Sequence, residues 1–323
     1  VSSLEIVREA TVPAYAKINL SLRVLWKRPD NFHELRTIFQ TVSLADELKI
    51  TFSPSAATSI EIVDNAIPDN LVERAARVCL DEMGIAAQIK FVLTKRIPMG
   101  AGLGGGSSDA AAVLLALPAL AGRPIALARL AEIGATLGSD VPFFLYGGTA
   151  LGLGKGEELY PLPDSSPRYG VLIAPDIHVS TPEAYRALSG RLGEPRPKLA
   201  TFQQGAWGTA GFEAANDFEA PVFELHPQLA ALKQSLIGLG AETVLMTGSG
   251  SSIFGFFNTK ETVSGVVQSW KEGRAFPFRL LSRARYRQTW LRRLKVHIDS
   301  NPEQDRRTDQ HDTLWPPRSR YAQ

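Results

Sequence analysis

The sequence predicts an α+β protein built as two lobes, and three observations carry that prediction. Strand-like and helix-like periodicities both occur in the first half, strands leading and helices following. A glycine-rich stretch at residues 98–111 joins a strand pattern to an apolar helix pattern. A proline-rich bridge, Pro161-Leu-Pro-Asp-Ser-Ser-Pro167, then separates this half from a second run of strands and helices. At 323 residues, 44% hydrophobic and 21% charged, the chain has a globular composition and room for two ordinary domains.

Ile18 to Val24 alternates apolar and polar side chains, the period of a half-buried strand. Arg28 to Asn31 supplies a turn, and Thr37 to Val42 and Glu47 to Phe52 read as further strands. A helix is expected from Asn70 to Met83, then a strand from Ile89 to Thr94. The glycine stretch opens an alanine-rich helix, read as amphipathic, with Ser107 and Ser108 where its N-cap is expected. A second amphipathic helix, Ala126 to Leu137, ends at Gly138, a residue suited to a C-cap.

Beyond the bridge come a strand at Gly170 to Ala174, helices near Pro182 to Leu188 and Pro227 to Leu239, and a strand from Glu242 to Met246. Tyr286, Trp290 and Leu294 recur every four residues, so the basic run around them reads as a helix with a solvated charged face. Residues 299–323 are polar, charged and interrupted by Pro316-Pro317, and read as a disordered or loosely docked tail.

Thirty-five basic against 33 acidic residues leave a net charge of +2, which argues against a general nucleic-acid or membrane-surface binder. The basic run Arg279, Arg283, Arg285, Arg287, Arg292, Arg293 and Lys295, interleaved with Phe278, Tyr286 and Trp290, is the one feature favouring nucleic acid. Cys79 is the lone cysteine and reads as a buried structural thiol, so an internal disulfide is excluded and a reducing compartment is compatible. The five histidines are scattered and suggest no metal site. Ala110 to Ala121 is too short to span a bilayer, and no secretory signal is read at the N-terminus, so a cytoplasmic enzyme is expected. A small-molecule substrate is the one partner read, with no nucleic acid and no membrane, for a monomer or weak homodimer.

The chemistry starts from Pro98-Met-Gly-Ala-Gly-Leu-Gly-Gly-Gly-Ser-Ser-Asp-Ala-Ala111. Glycines let the backbone turn through positive φ and approach a ligand without Cβ interference. The helix that follows offers unpaired N–H groups and partial positive charge, so the natural occupant is a phosphate chain. Gly100-x-Gly102-x-x-Gly105 matches the dinucleotide fingerprint formally, but no acidic residue follows about 20 residues later to hold a ribose. A Walker A loop is also a poor fit, because Gly154-Lys155-Gly156 lacks the hydroxyl residue.

Pro98 to Ala111 resembles the phosphate loop of the GHMP small-molecule kinases. Four other segments fit the same family in its order: Pro13-Ala-Tyr-Ala-Lys-Ile-Asn-Leu20, Arg28-Pro-Asp-Asn-Phe-His-Glu-Leu35, Leu137-Gly-Ser-Asp-Val-Pro-Phe-Phe144 and Met246-Thr-Gly-Ser-Gly-Ser-Ser-Ile-Phe254. The triple glycine before paired serines is similar to the branch acting on a cytidine-diphosphate substrate. The resemblance implies the two-domain GHMP kinase fold with its cleft between the lobes. It also implies an ATP-binding kinase domain at 1–163 and a C-terminal GHMP kinase domain at 164–298. The implied activity is ATP- and Mg²⁺-dependent phosphorylation of the 2-hydroxyl of 4-diphosphocytidyl-2-C-methyl-D-erythritol. A homoserine- or mevalonate-type kinase is the rival within the family, and a catalytically dead relative is disfavoured while Lys17, Asp140 and the loop are intact.

As a bare residue Asp140 is a turn aspartate, and Lys17 a snorkelling lysine. By resemblance Asp140 is the catalytic aspartate that takes the proton of the attacking hydroxyl, and Lys17 stands beside it. Asn19, two residues along an extended strand, faces the same way as Lys17, and the resemblance places it at the erythritol moiety. The nucleotide is expected on Pro98, Met99, Gly100, Ala101, Gly102, Leu103, Gly104, Gly105, Gly106, Ser107 and Ser108, with either serine adding a hydroxyl to phosphate or Mg²⁺. Asn70 and Lys95, otherwise a helix cap and a surface charge, match positions near the adenine. Asp109 reads as a helix-dipole carboxylate, with a place behind the metal as the alternative. Phe32 and His33 match the aromatic-His pair that recognises cytosine, and Tyr185 the second aromatic that sandwiches it, with a core tyrosine as its alternative. The family's glycine-tyrosine is Asn31-Phe32 here, which removes a phenolic hydroxyl.

Overall fold

The structure, a computed structural model, describes residues 7–63, 69–189, 214–299 and 314–315. Strands β1 (Arg8–Lys27) and β2 (His33–Pro54) form a long antiparallel hairpin running from the Arg8–Phe52 pair to the Lys27–His33 pair. Its register shifts between Tyr15 and Lys17, Asn19 and Ser21, and Val24 and Trp26. Such irregularities bend a strand and re-aim side chains, which lets one hairpin serve two lobes. The two strands expected at Thr37 to Val42 and Glu47 to Phe52 are therefore one continuous, bent strand.

β3 (Ser59–Val63), α1 (Leu71–Met83) and β4 (Ala87–Thr94) follow, then α2 (Gly105–Ala121), β5 (Ile125–Ala126), α3 (Leu127–Leu137), α4 (Val141–Tyr146), β6 (Thr149–Leu153) and β7 (Glu158–Pro161). The first sheet runs β3-β4-β2-β1, with β6 pairing β2 along Thr37–Gln40 and β7 pairing β6. Past the bridge come β8 (Tyr169–Ala174), α5 (Thr181–Ser189), β9 (Ala215–Asn216), α6 (Glu219–Leu225), α7 (Pro227–Gly238), β10 (Thr243–Met246), β11 (Ile253–Phe257), α8 (Lys260–Ser269), β12 (Arg274–Arg279), α9 (Arg283–Asp299) and β13 (Leu314–Trp315). The second sheet is antiparallel in the order β10-β11-β8-β12.

Helix α2 is buried from Ser108 to Leu120, with no polar face. The amphipathic reading of it is thus corrected: α1, α3, α4, α9 and the first sheet all pack on it. Gly138 is the C-cap of α3, its N–H donating to the Gly134 carbonyl at 3.1 Å, though with φ of 175° it is extended and not left-handed. Apolar side chains of β1 and β2 (Ala16, Ile18, Leu20, Ile38, Val42) meet Leu172, Leu245, Phe254 and Phe278 of the second sheet in a core shared by both lobes.

Two segments cross between the lobes. β9 pairs in parallel with β1, and α9 buries Tyr286, Trp290, Leu294 and Ile298 in the core of the first lobe. Cys79 is buried in that core, where burial pushes its thiol up to about 12. Of the segment 299–323 read as a disordered tail, 300–313 and 316–323 lie outside the described residues. Leu314–Trp315 instead pairs with β5, and the Trp315 ring is buried with its Nε1 donating to the Leu115 carbonyl, 2.6 Å away.

Candidate active site

β4 delivers the chain into a loop in which Gly100, Gly102 and Gly104 take φ of +64°, +77° and +70°. Alternating left-handed residues turn successive N–H groups toward one concavity, a nest suited to anions. At Gly102 an added Cβ would lie 2.1 Å from the Thr247 carbonyl oxygen, so no other residue fits. The Lys17 N–H donates to the Leu103 carbonyl at 3.1 Å, tying the loop to β1. The glycine-serine turn after β10 thus packs directly against the loop, with Gly248 on Gly102.

Gly104, not a serine, is the N-cap of α2, so Ser107 and Ser108 lie inside the first turn. The Ser108 hydroxyl is buried and donates to the Tyr15 carbonyl at 2.7 Å. Ser107 is the serine left facing the ligand side.

Two cavities meet at this loop. One, of about 400 Å³, is lined by Asn70, Lys95, Asp109 and every residue from Ile97 to Ser107. The other, of about 330 Å³, is lined by Lys17, Asn19, Asp140, Tyr185 and Lys155 among others. Gly102, Gly104 and Ser107 line both. Of the sequence-predicted nucleotide residues, Ser108 alone is not among the lining groups.

In the larger cavity Asn70 caps α1, its Oδ1 accepting from the Val72 N–H at 2.9 Å. Its Nδ2 is buried and has no partner among the described residues. Lys95 is no bare surface charge. Its Nζ lies 2.5 Å from Asp46 and 2.7 Å from Asp109, while the second oxygen of Asp46 accepts from the N–H groups of Arg96 and Ile97. Burial pushes Asp109 up to about 7, against the pull of Lys95. Asp46 was invisible to sequence reasoning, because its partners lie about fifty residues away and no motif marks it.

In the smaller cavity Lys17 Nζ stands 3.6 Å from Asp140 Oδ2 and donates to Asn19 Oδ1 at 2.7 Å. Burial lowers the Lys17 pKa, and the Asp140 charge raises it in opposition. Asp140 occupies the N-cap position of α4, yet its side chain makes no capping hydrogen bond, and 27% of it is exposed. The carboxylate is left for the cleft.

Asn19 donates to the Thr37 hydroxyl at 2.7 Å and accepts from Lys17 and from the Gly248 N–H at 3.0 Å. Both ends of its amide are thus engaged by protein. It orients Lys17 and joins β1 to the turn behind the loop. Thr37 and Thr247, which hold it, were also missed from the sequence.

His33 stacks on Tyr185 with ring centroids 4.5 Å apart and 23° between planes, and Tyr185 meets Phe218 edge-on at 4.8 Å. No base fits between His33 and Tyr185 as they lie. His33 Nε2 is buried without a partner among the described residues, and burial, with Lys27 second, lowers its pKa. Burial and then Asp140 push the Tyr185 hydroxyl up to about 12. Phe32 is 56% exposed and does not line the cavity, and Lys155 Nζ lies 4.5 Å from its ring centroid. The structure therefore brings His33 and Tyr185 together but leaves Phe32 at the rim.

Residues 70–148 match the family model described as GHMP kinases N terminal domain, and 198–274 match GHMP kinases C terminal. The chain is 52% identical over 322 residues to a 4-diphosphocytidyl-2-C-methyl-D-erythritol kinase of Solibacter usitatus, covering 97% of this chain and 98% of that one. It is similar to a crystal structure titled 4-(cytidine 5'-diphospho)-2C-methyl-D-erythritol kinase, at 37% identity and a TM-score of 0.72, over 84% of this chain and 98% of that one. A homoserine kinase from Cytophaga hutchinsonii, at 20% identity and a TM-score of 0.61 over 87% of this chain and 96% of that one, is a likeness of fold alone. By sequence relationship and by fold, the chain belongs to the 4-diphosphocytidyl-2-C-methyl-D-erythritol kinases of the GHMP kinase family.

Proposed function

We propose that the chain transfers the γ-phosphoryl group of ATP to the 2-hydroxyl of 4-diphosphocytidyl-2-C-methyl-D-erythritol. The observation that carries this reading is the Lys17–Asp140 pair, 3.6 Å apart in the cavity that shares Gly102, Gly104 and Ser107 with the nucleotide cavity. A phosphoryl group held on the loop faces a hydroxyl in the smaller cavity across that shared wall. Phosphoryl transfer needs mainly position and charge neutralisation. Asp140 accepts the proton of the attacking hydroxyl, and Lys17, held by Asn19, faces Asp140 and offsets charge on the transferred oxygens. The adenine end lies by Asn70 and Lys95, and the cytosine end by His33 and Tyr185.

Mg²⁺ belongs to the same proposal. No group of three or more His, Cys, Asp or Glu poised to hold a metal occurs among the described residues. Ser107, which lines both cavities, is the hydroxyl that would hold a magnesium carried mainly by the phosphates, the usual state of a nucleotide-bound ion. The ion supplies charge neutralisation on the phosphate chain. The lone buried cysteine is compatible with the cytoplasm as the place of action, and a monomer or weak homodimer acting on a small molecule suffices.

The test is ATP-dependent phosphorylation of the cytidyl substrate beside homoserine and mevalonate, with Asp140→Asn as control. Turnover of the cytidyl compound alone, lost in the variant, is expected. Preference for another alcohol would overturn the substrate while leaving the family in place.

A further inference from the structure

Asp46 is a buried carboxylate that the phosphoryl transfer described above leaves unused. Given the placement of ATP at the loop proposed above, we infer that Asp46 is a positioning residue for the nucleotide: it closes the base of the phosphate loop through Lys95.

The pairing of β2 with β4 brings Asp46 to this place. The ladder between them ends at the Glu47–Thr94 pair, and Asp46 is the next residue of β2. Its side chain continues where the ladder stops: Oδ1 accepts from the Arg96 N–H at 2.5 Å and from the Ile97 N–H at 2.8 Å. The chain is thereby fixed just before Pro98, where the loop begins. Asp46 Oδ2 holds Lys95 Nζ at 2.5 Å, and the same ammonium reaches Asp109 of α2 at 2.7 Å. An added Cβ on Gly105, the first residue of α2, would lie 3.3 Å from Lys95 Nζ and 3.1 Å from the Ile97 side chain. The ammonium and Ile97 therefore rest against the start of the helix. One carboxylate ties the entry of the loop, at 96 and 97, to its exit, at 105 and 109.

Desolvating a buried ion pair consumes most of what its attraction returns, so such a pair adds little net stability. What Asp46 supplies is geometry. The N–H groups of the nest hold phosphate oxygens only while they converge on one spot. A loop pinned at both ends keeps them converged before ATP arrives, so less ordering is left to be done on binding. The bare charge of Asp46 acts the other way, because a carboxylate beside the cavity repels a polyanion. Removing that charge should strengthen ATP binding if Asp46 acts only through its field, and weaken it if Asp46 positions the loop.

The test measures ATP affinity by calorimetry and KM for the cytidyl substrate in wild type, Asp46→Asn, Asp46→Ala and Gly102→Ala. Asparagine, of the same shape, keeps an acceptor for the two N–H groups but loses the charge facing Lys95, and alanine loses both. ATP affinity should fall about tenfold in Asp46→Asn, the weight of one charge-assisted hydrogen bond, and further in Asp46→Ala, with KM for the cytidyl substrate kept. The double variant Asp46→Asn/Lys95→Gln should bind ATP as Lys95→Gln alone does, because the charge of Asp46 acts through Lys95. ATP affinity unchanged or raised in Asp46→Asn, while Gly102→Ala weakens it, overturns the role of Asp46 and leaves the nucleotide at the loop. ATP affinity unchanged in every variant overturns that placement as well. A parallel rise in KM for the cytidyl substrate marks a general disturbance of the site and also overturns the role of Asp46.

Discussion

At the scale of single residues, the site sets a buried lysine against a partly exposed aspartate. Lys17 is 4% exposed; burial lowers its pKa, and the Asp140 charge beside it opposes that shift. Lys17→Met should lower kcat by about 10²–10³-fold with ATP affinity kept, the loss typical of one preorganised electrostatic group, as single-turnover kinetics would show. His33 makes a second prediction. Burial lowers its pKa below the usual 6.5, so the folded state favours the neutral ring. Its contribution to stability is then present above 6.5 and is lost as pH falls through that value toward the lowered one. An NMR titration of the His33 ring should give a pKa below 6.5; a value above it would contradict the buried, stacked environment.

That Lys17, Asn19 and Asp140 share one cavity was legible in the sequence, because each sits in a short ordered motif. Asp46, Thr37 and Thr247 were not, since their roles arise from contacts between distant segments.

At the scale of elements, the loop and α2 work as one piece. The glycine stretch was readable as a tight loop opening a helix, because glycine density before a helix calls for positive φ, which Gly100, Gly102 and Gly104 adopt. The choice between the serines was not readable: it depends on the Tyr15 carbonyl from β1, which captures Ser108. Likewise the amphipathic reading of α2 failed because a central helix is covered on all sides, whereas α3 at the surface kept its one-sided pattern, with Leu130, Ile133 and Leu137 buried. Gly102→Ala tests the loop. With φ at +77° and the Thr247 carbonyl 2.1 Å from the new Cβ, the loop must leave its place against the second lobe. ATP binding should fall by at least about tenfold and stability by about 1–3 kcal/mol, read by calorimetry and urea unfolding respectively.

At the scale of the whole molecule, the two-domain fold was legible in the sequence, but the crossing of α9 and β9 into the first lobe was not. Local sequence records which face of a helix is apolar and leaves open which core receives it. The Tyr286, Trp290 and Leu294 stripe was visible as a packing face, and its address was not. Trp315 belongs to the same core and hydrogen-bonds the Leu115 carbonyl of α2, ten residues past the glycine loop that opens the helix. Trp315→Ala should cost about 3–5 kcal/mol in unfolding free energy, the usual range for a large buried aromatic, with KM for ATP nearly constant. A loss under about 1 kcal/mol in urea titrations would mean that the ring contributes little packing.

The core shared between β1, β2 and the second sheet has a practical corollary for anyone searching for ligands. Because Leu172, Phe254 and Phe278 pack on the same strands that carry Lys17 and Asn19, neither lobe melts without disturbing the other's contacts. A compound lodged in either cavity therefore delays loss of the entire fold, by about 2.7 kcal/mol at one hundred times its dissociation constant. A single melting curve should thus register occupants of both cavities, with ATP and a cytidine nucleotide together raising the midpoint more than either alone.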